Sequence, residues 1–141
     1  MPRDFSITID IVAPPSRVWA VLSDIERWHE WTESVTSAKR LDTGPLAVGS
    51  KLILCQPKLP PAEYTVTALD EGKGFALETR SPGAVVVGNQ WVEPVDGGSR
   101  VTLSLQFSGL IGPTTAFIMR GMINRYLEMD AAGLKTRCES S

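Results

Sequence analysis

Histidine occurs once and cysteine twice in 141 residues, and only 7% of the chain is aromatic. A lone His29 cannot build an imidazole metal site, and Cys55 and Cys138 have neither metal-site spacing nor the density of a disulfide framework. A basic excess is also missing. Fourteen Lys and Arg against sixteen Asp and Glu leave a net charge of −2, which excludes binding driven by nucleic-acid phosphates. The two asparagines open no Asn-x-Ser/Thr acceptor, and Met1 to Ser6 lack the apolar segment of a signal peptide. With unpaired cysteines these features indicate a cytoplasmic protein. The glycine spacing of a dinucleotide loop is absent, since Gly72-Lys73-Gly74 runs straight into Phe75-Ala76-Leu77. No cofactor and no metal are therefore expected, and no catalytic nucleophile with its base is evident.

One uncharged stretch, Val101 to Met119, approaches the length of a membrane span. Its first half alternates, with Val101, Leu103, Leu105 and Phe107 set against Thr102, Ser104, Gln106 and Ser108. Gly109, Gly112 and Pro113 then interrupt it. Period two followed by breakers is a strand and a loop, so no integral membrane association is expected.

What remains is ordinary globular material, 43% hydrophobic and 21% charged, of a length that predicts one domain over residues 1–141. Phe5, Ile7, Ile9 and Ile11 form one face of a first strand. Pro14 and Pro15 open a short helix carrying Val18, Trp19, Val21 and Leu22, because proline suits a first turn. Asp24 is placed to cap a second short helix over Ile25 to Trp31. Six further strands are predicted at Val35–Leu41, Lys51–Cys55, Tyr64–Leu69, Phe75–Arg80, Ala84–Val92 and Arg100–Phe107, separated by Gly, Pro and Asp turns. Thr114 to Arg137 reads as one long helix. Its apolar arc, with Ala116, Met119, Ile123, Tyr126, Leu127 and Leu134, is broader than the stripe of a surface helix.

The order strand, two short helices, six strands and long helix is accompanied by Val18-Trp19, Leu22-Ser23-Asp24, Trp28-x-x-Trp31, Pro45 to Ser50 and Gly97 to Thr102. In these features the chain resembles the START-like, or SRPBCC, superfamily, which includes the polyketide cyclase/dehydrase group and has a Bet v 1-like helix-grip fold. The resemblance covers residues 3–139. It implies an α+β fold in which a curved antiparallel sheet of about seven strands wraps the C-terminal helix around a mainly apolar cavity. Lipid carriers, hormone receptors and aromatic polyketide cyclases share that fold, and the signature of the cyclases is not carried residue by residue here.

Period two assigns the cavity walls. Leu103, Leu105 and Phe107 face the helix from the last strand. Leu54 and Gln56, Tyr64 and Val66, Leu77, and Gln90 face it from the strands before, beside Leu52, Phe75, Gly88, Val92 and Val101. The helix contributes Phe117, Met119, Met122, Ile123 and Tyr126. Apolar walls with a few polar groups describe a ligand site, so the expected partner is a small hydrophobic molecule, lipid-like or polycyclic. Two alternatives stay open. One is a cyclase/dehydratase-like enzyme in which Tyr64, Tyr126 or a pocket carboxylate acts on the ligand. The other is a non-enzymatic interaction module, in which an outward Trp91 marks a patch for homodimer formation.

Three further side chains need a role. His29 lies in a short exposed helix. Trp19, Trp28 and Trp31 brace one end of the sheet. Asp130 falls on the inward helix face, where a carboxylate needs donors. It reads as a structural acceptor tying the helix to an indole N–H or to backbone near the short helices, with a pocket acid as its rival.

Overall fold

A computed structural model describes residues 4–140. Its strands are β1 (Asp4–Ile11), β2 (Ser37–Arg40), β3 (Lys51–Cys55), β4 (Ala62–Asp70), β5 (Gly74–Ser81), β6 (Ala84–Val95) and β7 (Gly98–Ser108). They form one curved antiparallel sheet in the order β1-β7-β6-β5-β4-β3-β2. Between β1 and β2 lie α1 (Pro15–Ser23) and a 3₁₀ helix (Ile25–Glu30), and α2 (Gly112–Ile118) and α3 (Arg120–Glu139) end the chain. This is the α+β helix-grip arrangement expected from the sequence.

The alternating pattern sets the registers. Ile7 lies opposite Leu103 and Ile9 opposite Val101, while Gly88 and Gln90 lie opposite Leu105 and Leu103. A one-residue slip would turn these side chains to the wrong face. The β6–β7 turn is tight because Gly97 takes φ +84° without a Cβ to clash. β4 shifts register between Val66 and Ala68, and such a bulge sharpens the bend of a sheet.

Pro14 and Pro15 open α1 as expected, with the Arg17 and Val18 N–H groups donating to the Pro14 carbonyl. The proposed cap by Asp24 does not form. Its carbonyl accepts from the Arg27 N–H, and its carboxylate pairs with the Arg27 side chain at 3.5 Å. The segment is a tight 3₁₀ turn rather than an α-helix, so the carboxylate finds its partner one turn onward.

The predicted long helix is two helices. The chain leaves α2 at Met119 (φ −96°, ψ 8°) and starts again as α3. α3 buries Ile123, Leu127, Ala131, Leu134 and Cys138, spaced three or four apart. Its far end is held firmly. Arg17 donates to the carbonyls of Arg137 and Ser140, Glu139 accepts from the Val12 N–H at 2.8 Å, and Arg137 pairs with Glu30 at 2.6 Å. A cation on terminal carbonyls also complements the helix dipole.

α3 packs closely on β1 and α1 and touches β7, whereas its backbone makes no comparable approach to the described residues of β3 to β6. The helix therefore hugs one side of the curved sheet and stands off from the other. That asymmetry leaves space inside.

Candidate functional site

The space is a cavity of about 260 Å³ between α3, the inner face of the sheet and the loop after the 3₁₀ helix. Leu54, Gln56 and Tyr64 line it from β3, β4 and their connection. Leu77 lines it from β5, Gln90 from β6, and Leu103, Leu105 and Phe107 from β7. Met119, Met122, Ile123 and Tyr126 form the helical wall. Their flexible thioethers and branched chains suit an adaptable apolar surface.

Two side chains assigned to the wall are elsewhere. Phe117 points outward, 43% exposed, with the Arg120 guanidinium 4.3 Å above its ring. The break at Met119 is the cause, because the helical phase that placed Phe117 inward assumed one continuous rod. Val66 is fully buried within the core instead of at the cavity surface. It lies where β4 bulges, and its N–H and carbonyl bond the turn residues Ser50 and Gly49. Leu52, Phe75, Val92 and Val101 likewise belong to the solid core, while Gly88 does line the cavity.

Trp19, Trp28 and Trp31 cluster beside the site. Phe75 is the centre of their cluster, stacked on Trp28 with ring centroids 6.3 Å apart and edge-on to Trp19 at 6.0 Å. Trp28 donates its indole N–H to the Leu22 carbonyl. Trp31 continues the cluster and lines the cavity together with Thr32, Ser34 and Val35. Sequence reasoning assigned Trp28 and Trp31 to bracing alone and overlooked Thr32, Ser34 and Leu59. The only hint was Trp28-x-x-Trp31 followed by short polar residues.

Asp130 holds Thr32 and Ser34 in place. Its Oδ1 accepts from the Thr32 hydroxyl at 2.7 Å and from the Ser34 hydroxyl. The donors are thus two side-chain hydroxyls of the loop, neither an indole nor backbone. Asp130 also lines the cavity, so the tie and the wall are the same residue. Part of the side chain stays accessible from the cavity, yet protein atoms surround it. Burial pushes its carboxyl up to about 6, against the opposing effect of the two hydroxyls.

The remaining polar groups are quieter. Tyr126 donates its hydroxyl to the Pro57 carbonyl at 2.6 Å, latching α3 to the β3–β4 connection. Burial raises the Tyr64 phenol above its usual value. His29 is exposed and away from the cavity. Cys138 is buried, and burial lifts its thiol to about 11, so it stays protonated and inert. Among the described residues no three His, Cys, Asp or Glu side chains form a group able to hold a metal ion. No described helix is long and apolar enough to cross a membrane.

A family profile described as "Polyketide cyclase / dehydrase and lipid transport" matches residues 2–139. The chain belongs to this family. No curated protein matches it by sequence. Among solved structures, this polyketide cyclase/dehydrase and lipid transport family member is similar to the Zhui aromatase/cyclase from Streptomyces sp. R1128. The two are 16% identical with a TM-score of 0.78, over 97% of this chain and 93% of that one. A Thermobifida fusca protein solved by NMR matches at 17% identity and a TM-score of 0.79, over 96% of this chain and 92% of that one. Ara h 8.0201 matches at 13% identity and a TM-score of 0.69, over 98% of each chain. At these identities the likeness is one of fold.

Proposed function

We propose that the chain binds a small hydrophobic molecule in its internal cavity. The observation that carries this reading is a space of about 260 Å³, walled mainly by aliphatic and aromatic side chains, between α3 and the inner face of the sheet. Burying about 300 Å² of apolar ligand surface at about 25 cal/mol per Å² supplies about 7–8 kcal/mol before association costs. Micromolar or weaker binding follows. Native mass spectrometry after gentle purification, together with titration of naphthalene, tests it. A retained or added apolar molecule at one per chain is the expected result. Failure to take up naphthalene or any co-purifying apolar compound would sink it.

Asp130 favours a second reading, a cyclase/dehydratase-like enzyme. An acid near 6 in an apolar cavity exchanges its proton close to neutral pH, and one fold neighbour is named an aromatase/cyclase. Incubation of a cavity-sized 1,3-diketone in heavy water separates the readings. Deuterium uptake at the central carbon, faster than in buffer and lost in Asp130→Asn, supports catalysis. Binding without exchange supports a carrier.

A further inference from the structure

The uncharged stretch Val101 to Met119 finishes on the surface. Gly109 turns the chain away from β7, and the Ile111 N–H donates to the Gly83 carbonyl at 2.9 Å, which lays the segment against the β5–β6 turn. α2 then buries only Gly112 and Ala116. The large side chains go outward. Leu110 is 92% exposed and Ile118 73%, and Ile111 and Phe117 are exposed as well. Contiguous apolar surface of this kind marks a place where a protein meets another protein or a membrane.

The charge around this segment is one-sided. The connection Gln56 to Pro61, the turn Arg80 to Val85 and the run Val101 to Leu127 hold Lys58, Arg80, Arg120 and Arg125 and no Asp or Glu, in a chain of net charge −2. The sheet brings these stretches to one end, since β3, β5 and β7 run in one direction. The Tyr126 hydroxyl also ties α3 to Pro57 there. Arg80 is taken by Glu78 at 2.7 Å. Lys58, Arg120 and Arg125 are exposed and have no acidic partner among the described residues. Acids stand at the borders, Asp4 opposite Gln106 and Glu33 in the loop before β2.

We propose that this face docks on an anionic lipid surface, with Leu110 and Ile118 entering the acyl boundary and Lys58, Arg120 and Arg125 meeting the headgroups. Arg120, 4.3 Å over the Phe117 ring, joins the two kinds of contact. The docking is peripheral, because no described helix is long and apolar enough to cross a bilayer. A second copy of the chain fits less well, since pairing the face with itself sets its cations against one another. Nucleic acid would meet the cations and leave the aliphatic side chains in water. Thr115 and Met119 of the same segment line the cavity, so docking brings one cavity wall to the bilayer.

Flotation with vesicles of phosphatidylcholine alone, and of phosphatidylcholine with about 30% phosphatidylserine, tests the docking at about 0.1 M and about 0.5 M salt. The wild type is expected to partition at least about tenfold more strongly to the anionic vesicles at low salt and to lose most of that preference at high salt. Leu110→Ser combined with Ile118→Ser changes two exposed sites outside the cavity wall. This pair should weaken partition at least about tenfold and leave naphthalene uptake unchanged. Arg120→Glu combined with Arg125→Glu should remove the preference for anionic vesicles. Equal partition of the wild type to both vesicles, or to neither, overturns the proposal and leaves the binding function intact. A vesicle-free dimer in analytical ultracentrifugation, dissociated by the serine pair, gives the face to a second copy and overturns it too. The wild-type vesicle comparison decides the matter even if a variant fails to fold.

Discussion

Asp130 couples stability to pH in a direction opposite to that of an ordinary surface carboxylate. Its folded value of about 6 lies above the ordinary aspartate value of 3.8, so between those limits the folded chain holds a proton that the unfolded chain has released. Stability is then greatest below pH 4 as far as this group is concerned, falls as pH rises through 6, and is constant above. The full difference is at most about 3 kcal/mol by linkage, reduced by whatever water reaches the carboxyl. Asp130→Asn keeps a hydrogen-bond acceptor and removes the titration. Urea unfolding from pH 4 to 8 should show the wild type losing stability over that range relative to the variant. Parallel curves would show that Asp130 has an ordinary value.

Phe75 is the other residue on which local structure turns. It is wholly buried between Trp19 and Trp28, and truncating such a ring leaves a hole the neighbours cannot close. Phe75→Ala should lower stability by about 3–5 kcal/mol, seen as a lower urea midpoint with an unchanged slope. Because Trp31 packs on Trp28 at 6.3 Å and both line the cavity, the same variant should loosen that part of the wall and weaken naphthalene uptake.

Within α3, two glycines have opposite meanings. Gly121 has open space where a Cβ would stand, whereas a Cβ on Gly133 would run into the backbone carbonyl of Trp31. Helix propensity alone favours alanine at either position by about 1 kcal/mol. Gly121→Ala should therefore raise the melting temperature and Gly133→Ala should lower it, since backbone cannot move aside as a side-chain tip can. Close approach at Gly133 is what brings the Trp31–Ser34 loop onto α3 and Asp130 within reach of its hydroxyls. The same scale explains where the sequence pattern misled. A run of apolar residues at helical spacing across Met119 carries no mark of a change in axis, so Phe117 is assigned inward although it lies outside. Trp91, whose face depends on register, is resolved outward because Gln90 lines the cavity and Val92 enters the core.

Across the whole molecule, the cavity exists because α3 is fastened at one end and at one side. The Arg17, Glu139 and Arg137 contacts pin its C-terminus, and its packing on β1 and α1 holds it off the opposite strands. A ligand binding only the folded state raises its stability by mass action, so naphthalene should raise the melting temperature in a concentration-dependent way. Gly88 offers a control. A Cβ there would meet Leu105 at 3.4 Å and Gln90 at 3.5 Å, distances that a small adjustment accommodates. Gly88→Val should fill the floor of the cavity and abolish the ligand-dependent shift while keeping the unliganded melting temperature within a few degrees. A retained shift would place the ligand elsewhere.

Alternation in β1 and β7, the prolines opening α1 and the glycine turns are local signals, and each is legible in the sequence because steric and hydrogen-bonding preferences act between near neighbours in the chain. They suffice to specify a curved antiparallel sheet with a helix packed in it. The site is different. Thr32 and Ser34 meet Asp130 across nearly a hundred residues, and whether an inward side chain ends in solid core, as Val66 does, or at a cavity wall, as Tyr64 does, depends on how far the helix stands from each strand. That distance is set by contacts remote in the chain, and only the assembled fold decides it.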